Sequence, residues 1–253
     1  MLYSIMLDAG HGGRDPGAVY NGRQEKDDTL NLVFAIGEIL QNNGIDVEYT
    51  RTTDVYESPY EKAMEANEAG VDFFISIHRN SFPQDNSVSG VESLVYQKSG
   101  IKYEMAQNIN EQLETVGFVN LGVKERPNLV VLRRTKMPAV LVEVGFINSN
   151  IDNQLFDQNF QDIAQAIADG ILDTLDREDG METMTYSVQT GAYRNLRYAQ
   201  NLLNDLLGQE FSARIEPGDG YYRVKVGNYK TLEEARMMEQ ILKRAGYPTI
   251  VVT

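Results

Sequence analysis

Apolar residues along the first two thirds of the chain alternate between two periods, and each change of period marks a new element. The run Ser4-Ile-Met-Leu-Asp-Ala9 predicts a strand that empties into a glycine-bearing polar loop. Asp72-Phe-Phe-Ile-Ser-Ile-His78 is a second β-branched and aromatic run that stops in the same way. Between them, apolar residues at 30, 32, 33, 36, 39 and 40 predict an amphipathic helix over residues 27–40, stopped by Asn43-Gly44. Residues 45–50 read as a strand, 60–69 as a helix and 71–78 as a buried strand. Farther on, strands are expected at 90–96, 129–132 and 139–146, with helices at 102–116 and 160–175. This βαβ alternation predicts an α/β domain over residues 1–176.

Residues 176–183 are polar and without period, which places a linker at 177–184. Beyond it the pattern repeats. Tyr186-Ser-Val-Gln-Thr-Gly-Ala-Tyr193 matches Tyr222-Arg-Val-Lys-Val-Gly-Asn-Tyr229, and Ala199 and Leu206 match Ala235 and Leu242 at the same offset. Each copy reads as a strand, a turn at Gly191 or Gly227, an amphipathic helix and a closing strand. Two such βαβ halves are too short to bury both faces alone, so residues 185–253 are expected to pack as one small α/β unit.

Charge supports the division. Residues 184–253 carry a net charge of +2, whereas residues 1–183 carry −16 of the total −14. The acidic part would repel phosphates, so nucleic acid is disfavoured and not expected as a partner. Insertion into a membrane is not expected, because no apolar run reaches transmembrane length. Met1-Leu-Tyr-Ser leads into the first strand without a basic segment or cleavage site, so no signal peptide is expected and synthesis in the cytoplasm follows. With no cysteine in the chain, disulfides, thiolate nucleophiles and cysteine-based metal sites are excluded.

The chain has two histidines, His11 and His78, and both stand where a strand pattern ends. In an open α/β sheet that edge is where ligands bind. Glycines at 10, 12, 13 and 17 let the first loop bring backbone close to a bound group. A phosphate loop fits less well, since no Gly-Lys-Ser/Thr follows. Two histidines and a carboxylate from separate loops make the ligand set of a catalytic zinc site. Glu25, at the entry to the first helix, is the candidate carboxylate, with a helix-dipole role as its alternative. Glu143 interrupts the apolar run 139–146, and a carboxylate there is costly unless paired or used. It is a candidate general base, or else an ion-pair partner of Arg133 or Arg134.

The stretch Leu7-Asp-Ala-Gly-His-Gly-Gly-Arg-Asp-Pro-Gly17, then Glu25, Thr50-Arg51, Asp54, Ala66-Asn67, Ser76-Ile-His78-Arg-Asn80, Gly90-Val-Glu92 and Pro138-Ala-Val-Leu-Val-Glu-Val-Gly-Phe146 resembles the zinc-dependent N-acetylmuramoyl-L-alanine amidases of the type 3 family. The resemblance implies a mostly parallel sheet flanked by helices. It also implies zinc held by His11, Glu25 and His78, and Glu143 as the catalytic residue. Lys62 departs from it, where an arginine is usual. The implied reaction is hydrolysis of the amide between N-acetylmuramic acid and L-alanine in peptidoglycan. Gly12, Gly13 and Asn80 are candidate substrate contacts by proximity to the ligands. The repeat at 185–253 resembles SPOR domains, which implies binding to glycan strands stripped of peptides. The rival readings are a non-catalytic wall-binding protein and a zinc deacetylase or peptidase acting on the same polymer.

A compact enzyme with one wall-binding unit suits a phage endolysin freed through a holin-type lesion somewhat better than a sporulation amidase freed by mother-cell lysis. Met181 and Met184, in a polar stretch that gives methionine no packing role, are candidate internal translation starts. A short C-terminal product from such a start would self-associate with the full chain and add wall contacts.

Overall fold

The computed structural model describes residues 3–183, 186–229 and 232–252, with backbone alone over 177–183. It divides into two compact units, Met1–Asp176 and Arg177–Thr253. In chain order the first contains β1 (Ser4–Ala9), a hairpin of β2 (Val19–Tyr20) and β3 (Arg23–Gln24), α1 (Glu25–Asn42), β4 (Asp46–Tyr49) and α2 (Pro59–Ala69). There follow β5 (Phe73–Asn80), β6 (Val91–Val95), α3 (Ile101–Val116), β7 (Asn120–Glu125), α4 (Val130–Arg134), β8 (Ala139–Phe146), α5 (Asn150–Gln158) and α6 (Phe160–Thr183), whose residues after Asp176 belong to the second unit. The sheet order is β4-β1-β5-β8-β6-β7. All neighbours run parallel except β6 against β8, so the fold is α/β with a mostly parallel sheet.

Alternation along the central strands gives the sheet two unlike faces. Ile5, Leu7 and Ala9 of β1, Ile75 and Ile77 of β5, and Val140 and Val142 of β8 join the larger core, which α1, α3 and α6 cover with Leu32, Ile36, Ile109, Ile163 and Ile167. The other face begins apolar with Met6, Phe74, Leu94, Ala139 and Leu141 under Ala66, Val131 and Leu132. Continuing along the same strands, that second face turns polar, through Asp8, Ser76, His78, Glu92 and Glu143. The functional residues therefore share one face because strand residues two apart point the same way.

Helix ends are set locally. Ser58 and Glu61 form a reciprocal capping box at the start of α2, Pro59 occupies its first turn, and Gly70 ends it in the left-handed conformation.

Several expectations change. Residues 129–132 do not form a strand: α4 covers Val130–Arg134, because a short turn of helix turns both Val131 and Leu132 into the smaller core. Edge strand β7 escapes the apolar pattern because Gly122, at φ 79°, interrupts it. Helix α5 was also unexpected, although Ser149 caps it by accepting the Asp152 N–H. Helix α6 runs on to Thr183, so the residues that read as unpatterned linker are helical in backbone. Met184 lies outside the described residues.

The second unit contains β9 (Tyr186–Tyr193), α7 (Leu196–Gly208), β10 (Ala213–Gly218), β11 (Tyr221–Tyr229), α8 (Leu232–Arg244) and β12 (Ile250–Val252), with sheet order β10-β11-β9-β12. Each half exchanges strands with the other, so the two central strands are the repeated ones, and all pairings are antiparallel. This is a ferredoxin-like arrangement. The repeated positions Val188, Val224, Ala199, Ala235, Leu206 and Leu242 are all buried. Gly191 and Gly227 lie within strands rather than in turns, each covered by the ring of the tyrosine two residues on. Tyr193 and Tyr229 thus pack against the small core.

Candidate functional site

Three loops and strand ends converge at the polar edge of the second face. His11 lies just beyond β1 with φ 63°, in a loop that folds back on itself through paired backbone hydrogen bonds between Gly12 and Asp15. His78 is near the end of β5, and Glu25 is the first residue of α1. The Glu25 carboxylate lies between the two imidazoles: Oε2 is 3.1 Å from His11 Nε2 and Oε1 is 2.9 Å from His78 Nδ1. Backbone N–H groups of Ala18 and Arg79 donate to the same two oxygens at 2.9 and 3.0 Å. One ligand atom from each of His11, Glu25 and His78 lies within 4.8 Å of the others. A side chain at Gly10 would strike the His78 ring, and one at Gly17 would strike Glu25 and His11, so these glycines are demanded by the cluster.

The cluster is electrostatically tight. Burial opposes the charged form of His11, but its hydrogen bonds and attraction to Glu25, then Asp15, outweigh it and raise its pKa to about 9. Burial likewise opposes ionisation of Glu25, yet hydrogen bonds from both imidazoles hold its carboxyl well below the usual carboxylate range. Asp15 Oδ2 sits 2.9 Å from His11 Nδ1, which orients the ring so that Nε2 faces the cluster.

Glu143 stands apart from this pairing. It is the register partner of His78 on the adjacent parallel strand and of Glu92 on the antiparallel one. Its Oε2 is buried without a hydrogen-bond partner, so the ion pair with Arg133 or Arg134 does not account for it. Burial, offset by His78 and reinforced by Glu25 and Glu92, raises its pKa to about 7. Glu92 is itself held by Lys124 and by Asn80 Nδ2 at 3.1 Å.

Beneath the cluster is a buried polar layer. Asp8 accepts from Lys62 Nζ at 2.7 Å, Thr50 Oγ1 at 2.8 Å and Ser76 Oγ at 2.6 Å. Arg51 ties the carbonyls of Ala9, Gly10 and Lys26 together and so holds the His11 loop from below. Above this layer opens a cleft of about 250 Å³, bounded on one side by His11, His78 and Lys62 and on the other by Leu129, Val130 and Leu141.

The sequence profile of the N-acetylmuramoyl-L-alanine amidase family matches residues 5–173. The chain belongs to that family. The amidase region is followed by a match to the SPOR domain over residues 183–253. The sporulation-specific N-acetylmuramoyl-L-alanine amidase of Bacillus subtilis (strain 168) is 35% identical over 220 residues, covering 85% of this chain and 84% of that one. The endolysin of Bacillus phage SPP1 is 35% identical over 181 residues, 68% of this chain and 65% of the endolysin. Among solved structures, an N-acetylmuramoyl-L-alanine amidase from Clostridium difficile 630 superposes with a TM-score of 0.65 at 33% identity, over 69% of this chain and 97% of that one. The catalytic domain of the amidase CwlV from Bacillus (Paenibacillus) polymyxa var. colistinus gives 0.64 at 31% identity, over 69% and 99%.

Of the residues singled out in the amidase sequence, His11, Glu25 and His78 come together and Glu143 adjoins them through His78. Each of the remaining three has one donor engaged inside the protein. Gly12 N–H donates to the Asp15 carbonyl, Gly13 N–H to Asp54 Oδ1 and Asn80 Nδ2 to Glu92. Asp8 and Asp15 are parts of the site that the sequence reading passed over. Asp8 carried a readable signal, since it interrupts an apolar strand just as Glu143 does. No described helix is long and apolar enough to cross a membrane.

Proposed function

We propose that this chain is a zinc-dependent amidase that cleaves the bond between the lactyl group of N-acetylmuramic acid and L-alanine in peptidoglycan, and that its SPOR domain holds it on glycan strands stripped of peptides. The observation that carries the reading is the meeting of His11, Glu25 and His78 within 4.8 Å, beside a glutamate with a buried, unpartnered oxygen. Two imidazoles and a carboxylate fit zinc, because they supply three nitrogen and oxygen ligands and leave a fourth position open. When bound, the ion supplies a Lewis acid that polarises the scissile carbonyl and lets water lose its proton near neutral pH.

The chain's own residues do the rest. Asp15 keeps His11 in the tautomer that presents Nε2, and the Ala18 and Arg79 amides hold the Glu25 carboxylate in place. Glu143 takes the proton of the attacking water on its carboxylate and delivers it to the departing nitrogen of L-alanine. Burial raises the pKa of Glu143 above that of an ordinary glutamate, which favours a group that must hold a proton before passing it on. Leu129, Val130 and Leu141 give the cleft an apolar wall that limits competing water.

A purely wall-binding role would give no reason to keep Glu143 ionisable in an apolar strand. A deacetylase or peptidase would yield other products from the same wall. Relatives include both a sporulation amidase and a phage endolysin, which is compatible with either proposed setting, mother-cell lysis or holin-type release. We also propose that internal starts at Met181 or Met184 yield a free C-terminal product containing all four strands of the second sheet. Mass spectrometry of the purified protein tests this, since a single full-length species would contradict it.

Metal analysis tests the main reading. About one zinc per chain is expected in the unaltered protein and none in His11→Ala or His78→Ala, with activity lost in parallel. Full hydrolysis by metal-depleted protein would contradict it.

A further inference from the structure

The cleft beside the cluster contains a carboxyl oxygen without a hydrogen-bond partner among the described residues. Glu57 lines it together with Asp8, Asp15 and Lys62, and its Oε2 is buried without a hydrogen-bond partner. The nearby cation is already committed: Lys62 Nζ lies 2.7 Å from Asp8 Oδ1 and 2.6 Å from the Ala9 carbonyl oxygen. The other two carboxylates of the lining have partners, Asp8 in Lys62 and Asp15 in His11. Burial raises the pKa of Glu57, with the Lys62 and Arg51 charges opposing and the Asp8 and Glu61 charges adding to the effect. An acceptor buried and left unpaired costs about 1–3 kcal/mol, and native proteins rarely retain one without a use.

We propose that Glu57 is a positioning and specificity residue that accepts an N–H donor of the stem peptide and disfavours a stem carboxylate at the same place. This rests on the amidase reading above. Donor chemistry follows from the carboxylate, which when ionised can only accept. The stem peptide is favoured over the sugar because Leu129, Val130, Val131 and Leu141 give the same cleft an apolar wall that suits a peptide's aliphatic side chains better than a ring bearing several hydroxyl groups. Preference for a neutral amide follows from charge. Asp8 and Asp15 are paired directly with Lys62 and His11, whereas Glu57 feels Lys62 and Arg51 without an ion pair to either and would repel a second carboxylate.

The test uses the full chain and purified peptidoglycan, either untreated or with its free carboxyl groups converted to primary amides by carbodiimide and ammonia. The readout is the initial rate of release of N-terminal alanine against wall concentration. The unaltered enzyme is expected to show a KM about tenfold lower on the amidated wall. Glu57→Ala is expected to raise KM on that wall by about tenfold, with kcat within about twofold, and to lose the preference. Glu57→Gln, nearly isosteric and uncharged, keeps an acceptor and is expected to handle both walls alike. Equal KM values on the two walls for the unaltered enzyme, or a preference that survives in both variants, would overturn the proposal. A loss of kcat at constant KM in Glu57→Gln would do the same. Failure of the unaltered enzyme to free alanine from either wall would instead overturn the amidase reading.

Discussion

His78 and Glu143 are register partners on adjacent parallel strands, so a proposed zinc ligand and the proposed general base sit side by side on one face of the sheet. Glu92 flanks Glu143 from the opposite strand. Burial is the leading reason that Glu143 binds its proton more tightly than an ordinary glutamate; the His78 and His11 charges oppose the shift and the Glu25 and Glu92 charges add to it.

Glu143→Gln is expected to keep bound zinc and lose turnover by about 10²–10⁴-fold. The same variant has a signature in stability. The folded-state pKa of Glu143 is raised from 4.5 to about 7, so the metal-free protein is most favoured by this group below pH 4.5 and loses that contribution as pH rises through about 7. Metal-free Glu143→Gln is therefore expected to be more stable than the parent above that range, by up to about 3 kcal/mol, and equal to it below. Thermal unfolding across pH checks this, and a parent that gains stability relative to the variant on going alkaline would refute it.

Asp15→Ala removes the group that orients His11 without removing a ligand. Zinc affinity is expected to fall by about 10–100-fold while the fold persists. Competition with a zinc chelator measures it. Unchanged affinity would mean that the His11 loop, tied down by Arg51 and by the Gly12–Asp15 backbone pair, orients the ring unaided.

Lys62→Met leaves Asp8 buried without its cation, and a loss of about 3–5 kcal/mol is expected. Replacing both members, as Asp8→Leu with Lys62→Met, is expected to recover much of that loss, because the buried charge is gone. The Asp8 pKa is lowered: burial opposes this, but Lys62, His78 and Ser76 outweigh it. Its contribution is therefore present above the ordinary aspartate value and lost as pH falls through the folded one. Urea unfolding of the single and double variants reads the coupling; additive losses would show that the pair acts independently.

Gly227→Val should disable the second unit alone. Gly227 has φ 71°, and an added Cβ would lie 2.1 Å from the Tyr229 ring. Pull-down with peptidoglycan is expected to lose wall binding, while zinc content and hydrolysis of soluble muropeptides persist. Retained wall binding would remove the SPOR sheet from the targeting role.

Much of this site was legible because it is built from exceptions to local pattern. Two histidines ending two strands, and Glu143 in an otherwise apolar run, each violate what burial alone predicts. The repeat in the second unit was legible for the opposite reason, since Val188, Ala199 and Leu206 recur as buried matches. What stayed hidden depended on tertiary context. Val130-Val131-Leu132 has strand chemistry, yet packing under α2 makes it helical. Gly12, Gly13 and Asn80 lie near the ligands in sequence, and each has a donor engaged by Asp15, Asp54 or Glu92, which no spacing rule reveals. Glu57 looked like an ordinary loop residue until the cleft wall closed around it.

The most direct test of the account is product analysis after digesting purified peptidoglycan with the zinc-loaded full-length chain. The account predicts new N-terminal L-alanine on the released peptides, intact N-acetyl groups on the glycan and no product from Glu143→Gln. Release of acetate, cleavage within the stem peptide, or undiminished alanine release by Glu143→Gln would contradict it.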